Sequence, residues 1–93
     1  MPFISSDKIE KIKEQILFFL FTNYPKSFFT KEISQEIARD EEFTKKILID
    51  LEKNHFVIKI NKNSFGRDYK KRIKWRLSNS LYEIYKEKSS NIS

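Results

Sequence analysis

Residues 28–60 read FFTKEISQEIARDEEFTKKILIDLEKNHFVIKI, and a change of period inside this stretch decides the fold. Ile33 and Ile37 lie four apart, the spacing of one helix face, so a helix is expected over about 31–38 with Thr30 as its N-cap. Asp40 offers a second cap, followed by Glu41 and Glu42 in a first turn where the helix dipole favours acids. Phe43, Ile47, Leu48 and Leu51 make the inward stripe of a further helix over about 41–54. Asn54-His55 ends it, with Asn54 suited to the left-handed backbone that helix ends require. From Phe56 the period drops to two, as Phe56, Ile58 and Ile60 alternate with Val57, Lys59 and Asn61.

Working outward, Ile73, Trp75 and Leu77 alternate with Arg72, Lys74 and Arg76. The two alternating runs predict a hairpin over about 56–77, turning at Asn63-Ser64-Phe65-Gly66, with Ile58, Ile60, Ile73, Trp75 and Leu77 facing inward. Ser78 can cap a last helix over about 79–88 carrying Leu81, Ile84 and Tyr85, after which the chain is expected to fray. Upstream, Ile9, Ile12, Ile16, Phe19 and Leu20 share one face of a helix over about 6–22, and Phe28 suits a short strand after the Pro25 connector. Leu17, Phe18 and Phe21 fall on the opposite side of that first helix. Two coverings are open for them: the last helix or the hairpin, or a second copy of the chain. No repeat or linker divides the 93 residues, so residues 1–93 are read as one domain.

Charge is distributed unevenly. Up to His55 there are nine Lys or Arg against ten Asp or Glu, whereas from Phe56 onward there are ten against three. Eight of those bases (Lys59, Lys62, Arg67, Lys70, Lys71, Arg72, Lys74 and Arg76) crowd the hairpin with one acid, Asp68. Such an excess repels itself unless an anion is near, and nucleic-acid phosphate is the usual one.

Other chemistries find little support. There is no Cys and a single His, so neither a thiol nucleophile nor a Cys-ligated zinc is available, and no Ser-His pairing is supported. One Gly cannot build a phosphate-cradling loop. No enzyme activity, cofactor or metal is expected. The longest apolar run, Ile16–Phe21, is far below the roughly 20 residues that span a bilayer, and the N-terminus lacks the pattern of a secretory signal. A cytoplasmic protein without a membrane partner is expected.

The order helix, helix, helix, basic hairpin, helix resembles the winged helix-turn-helix family. The residues carrying the resemblance are Ile33 and Ile37, then Ile47, Leu48 and Leu51, then Phe56-Val57, and Trp75-Arg76-Leu77-Ser78. Across Phe28–Ser78 the chain is similar to small prokaryotic regulators of the MarR and ArsR type and to archaeal one-domain relatives. It departs at Arg39 and Asp40, where a Gly and an apolar residue are usual, and at His55, where Gly is common. The resemblance implies an α+β, mostly helical fold: a three-helix bundle, a hairpin wing and a C-terminal helix. It also implies double-stranded DNA binding in transcriptional regulation by a homodimer.

On that reading the helix over 41–54 enters a major groove and presents Glu42, Thr44, Lys45, Lys46, Ile49 and Lys53. The wing would grip backbone or minor groove through the eight bases, with Lys59, Lys74 and Arg76 on one outer face and Lys62, Arg67, Lys70 and Lys71 at its tip. Two other functions remain open. One is a winged-helix adaptor docking on a protein partner; the other is RNA or single-strand binding, with Phe65 and Tyr69 stacking on bases.

Overall fold

A computed structural model describes residues 6–60 and 73–91. The elements run α1 (Ser6–Thr22), β1 (Phe28–Phe29), α2 (Thr30–Glu36), α3 (Glu41–Lys53), β2 (Val57–Ile60), β3 (Lys74–Leu77) and α4 (Asn79–Asn91). Helix α4 thus continues past 88, where fraying was expected. No described helix is long and apolar enough to cross a membrane.

The four-residue ladder of α1 folds as its spacing requires, with Ile12, Ile16 and Leu20 buried. Leu17, expected on the opposite side, is buried as well. For Phe21 on that side, α4 supplies the second cover. Phe21 packs on Tyr82 and Tyr85 at 5.4 and 5.5 Å between ring centroids, and Tyr82 stacks on Tyr24 at 3.8 Å.

The two central helices are joined by a turn that closes without glycine. At the end of α2, Ala38 donates to the Gln35 carbonyl and Arg39 to the Ser34 carbonyl, with Ala38 at φ 55°. This is a Schellman turn, in which a left-handed residue lets two late carbonyls find donors. It stops α2 at Glu36, two residues earlier than periodicity suggested. The end of α3 repeats the device: His55 donates to Glu52 and Phe56 to Leu51, with His55 at φ 64°. Asn54, the expected left-handed residue, stays at φ −90° because it is the last cap and its own N–H still reaches Asp50.

The caps also differ at one end. Asp40 accepts from the Phe43 N–H at 3.2 Å, as its position before α3 implies. Thr30, however, is the first residue of α2 rather than its cap. Glu32 reaches back to the Phe29 N–H at 2.8 Å instead, and the Thr30 hydroxyl accepts from the Trp75 indole N–H at 2.8 Å. That bond satisfies a buried indole donor and ties β3 to the start of α2.

The sheet is antiparallel, in the order β1-β3-β2. Phe28 pairs with Trp75, Val57 with Leu77, and Lys59 with Trp75, so these residues share the inner face. Phe29, Ile58, Ile60, Lys74 and Arg76 share the outer one. The expectation for β2 was therefore off by one residue. Val57 is buried and Ile58 and Ile60 are half-buried on the outer side, because the Schellman turn consumes Phe56 and starts the strand at Val57. Trp75 and Leu77 are fully buried, as their alternation implied. All faces meet in one core of α1, α2, α3, the sheet and Leu81 of α4, whose N-terminus is capped by Ser78.

Candidate nucleic-acid interface

Helix α3 is amphipathic, and its core side fixes its outer side. Ile47, Leu48 and Leu51 anchor it inward and are buried. The side chains of Glu42, Lys45, Lys46, Ile49 and Lys53 are consequently exposed along the outward face. Thr44 is not among them. It is fully buried, and its hydroxyl donates to the Asp40 carbonyl at 2.8 Å, so it cannot reach a base edge. Its place one residue after Phe43 turns it under the helix toward the core.

The outward face is cationic without internal neutralisation at its centre. Among the described residues, Lys45 and Lys46 have no ion pair within 4 Å. Asp50 is drawn off sideways: Lys13 of α1 donates to its carboxylate at 2.7 Å. That hydrogen bond, reinforced by the lysine charge, holds the Asp50 carboxyl below the usual carboxylate range and raises Lys13 above the usual lysine value. Periodicity could not reveal this α1–α3 tie, since the partners lie 37 residues apart.

The ribbon treats its cations differently. Lys74 and Arg76 share the outer face, but Lys59 belongs to the opposite one, paired beside Trp75 and exposed at its edge. The expected trio on one surface is thus a pair. The Lys74 ammonium sits 4.9 Å from the centre of the Phe29 ring, the cross-strand neighbour its register dictates. The half-buried Arg76 donates from Nη1 to the Leu77 carbonyl at 3.0 Å and to Asn79 Oδ1 at 3.1 Å. Asn79 also accepts from the Tyr24 hydroxyl, so Arg76 helps hold β3, the α1–β1 connector and α4 together. Lys62, Arg67, Lys70, Lys71 and Arg72, with Phe65 and Tyr69, lie outside the described residues.

Two solved structures superpose on 92% of this chain: a double mutant of Lactococcus lactis ZitR in apo form, and a point mutant of S. aureus MepR bound to an oligodeoxyribonucleotide. TM-scores are 0.66 and 0.65, at 14% and 15% identity. The chain has the winged helix-turn-helix fold. It spans 60% of the ZitR chain and 68% of the MepR chain. No protein-family model matches the sequence, and no curated protein matches it either. Within this fold α3 is the second helix of the helix-turn-helix and the β2–β3 ribbon is the wing.

A groove of about 980 Å³ opens between α1, the α2–α3 turn and α4. Phe18, 66% exposed, lines it with Phe21 and Tyr85. Burial, assisted by nearby Glu14, raises the Tyr85 phenol above its ordinary value. Of the three residues expected to meet a second copy, only Phe18 stands fully clear of the core.

Proposed function

We propose that this chain binds double-stranded DNA as a transcriptional regulator, with α3 in the major groove and the ribbon along flanking backbone or minor groove. The observation that carries the reading is the outward face of α3, where Lys45, Lys46 and Lys53 stand exposed on a helix anchored from behind. A fold neighbour supports it: the MepR mutant holds an oligodeoxyribonucleotide. Affinity comes mainly from phosphates, since no Arg on this face offers a bidentate guanine contact.

Titration of random-sequence duplex and single strand at two salt concentrations tests this. Five or six neutralised phosphates give a log–log slope of about −5, so duplex affinity falls roughly a thousandfold between 50 and 200 mM salt. Affinity indifferent to salt, or tighter binding of single strand, sinks the reading. A second copy of the chain meeting the first through α1 and α4 completes the proposal, supported by the exposed Phe18 in the groove. Sedimentation giving the mass of one chain, both free and on a duplex, removes that part.

A further inference from the structure

We propose that Ile49 is the specificity-determining residue of α3 and that it reads the 5-methyl group of thymine; the inference rests on the duplex-binding reading above. Among the described residues, Ile49 is the one large apolar side chain exposed on α3, at 36%, and it lies outside the core cluster. Lys46 and Lys45 precede it by three and four residues and Lys53 follows by four, so lysines flank it along the helix surface. Long lysines on both sides reach outward to phosphates, which sets the residue between them against the groove floor.

Two polar neighbours on the helix are engaged elsewhere. Thr44 is buried with its hydroxyl on Asp40, and the Asp50 carboxylate is held by Lys13. An isoleucine can neither donate nor accept a hydrogen bond. The apolar feature a major groove offers it is the C5-methyl of thymine, which no other standard base carries. Contact with that methyl removes apolar surface from both partners, whereas hydrogen-bonding base edges would only be desolvated by it.

The experiment begins with duplexes enriched from a random pool at moderate salt. In the best binder, thymines are replaced singly by deoxyuridine, which deletes the methyl and leaves every hydrogen-bonding group in place. The expected result is about a fourfold loss of wild-type affinity at one or two positions, the worth of one buried methyl carbon. Ile49→Ala, checked for an unchanged fold by circular dichroism, should bind the thymine duplex about as weakly as wild type binds the uridine one. It should show no further loss on uridine.

Wild-type indifference to every uridine, an Ile49→Ala protein that keeps the uridine penalty, or enrichment of no sequence at all overturns the inference while leaving phosphate-driven binding standing. Failure to bind any duplex removes the functional reading and this inference with it. The two failures are therefore told apart by the same titrations.

Discussion

Helix α3 and the β2–β3 ribbon both carry basic side chains outward, yet they spend them differently. On α3, Lys45 and Lys46 stand exposed with no carboxylate within ion-pair distance among the described residues. On the ribbon, Lys74 lies over Phe29 and Arg76 is fastened to Leu77 and Asn79. A cation already holding a ring or a carbonyl must give up that contact before it can neutralise a phosphate. One left in water exchanges only solvent and counterions. The lesson is that a count of bases along a chain overstates the surface available to a polyanion, and partners in the fold decide which of them remain.

The sharpest break of this contrast is a pair of double variants. Lys45→Ala with Lys46→Ala should weaken duplex binding more than tenfold at physiological salt and make the log–log slope shallower by about 2, as two lost phosphate contacts require. Lys74→Ala with Arg76→Ala should change the slope by less than half of that. Its thermal midpoint should fall instead, since hydrogen bonds made by a charged donor contribute about 1.5–3 kcal/mol where partly shielded. If the ribbon pair moves the slope as far as the helix pair does, the distinction between engaged and available cations is wrong.

Much of the helical half was legible from residues 28–60 because helix anchors repeat by fours and leave a long signature. Ile33, Ile37, Ile47, Leu48 and Leu51 are all buried, and the outward lysines of α3 follow directly from them. The ribbon was less legible because a strand's two faces differ by one residue. With apolar Phe56, Val57, Ile58 and Ile60 on both parities, composition could not choose, and a turn hydrogen bond from Phe56 to Leu51 chose Val57. Thr44 failed for a related reason: its place near the helix start suggested a base contact, but helical phase sets it three and four residues before Ile47 and Leu48, on the inward side. The fastenings of Asp50 and Arg76 join residues distant in sequence or apart in element, so no local pattern announces them.

A smaller effect sharpens the same comparison from the connecting turns. Ala38 and His55 hold left-handed backbone, at φ 55° and 64°, in the turns that set α3 between its neighbours. A Cβ in that conformation costs about 1 kcal/mol, which glycine avoids, although glycine also loosens the unfolded chain. Ala38→Gly and His55→Gly should each therefore stabilise the fold, by up to about 1 kcal/mol in denaturant midpoints, and leave the salt slope of DNA binding where it was. A change in slope would mean that these residues themselves touch the nucleic acid.

The smallest effect concerns the pair in which Lys13 engages Asp50. The Asp50 carboxyl titrates low because Lys13 donates to it, so its contribution to stability is present above the ordinary carboxylate range and disappears as pH falls through its lowered value, below about pH 4. Lys13 titrates high for the same reason, so its share is present below the ordinary lysine value and disappears as pH rises through the raised one, above about pH 10. Both side chains reach solvent, which screens the pair and keeps its effect on stability small. Asp50→Asn should accordingly lower the melting temperature slightly at neutral pH and remove that part of the acid-side fall which depends on this carboxylate. In duplex binding the same substitution should raise affinity, because it deletes a negative charge beside Lys53 and leaves Lys13 to its longer contact with Glu10 at 3.8 Å. A drop in affinity instead would mean that the tie between α1 and α3 orients the lysine face, and that the order it imposes outweighs the charge it withdraws.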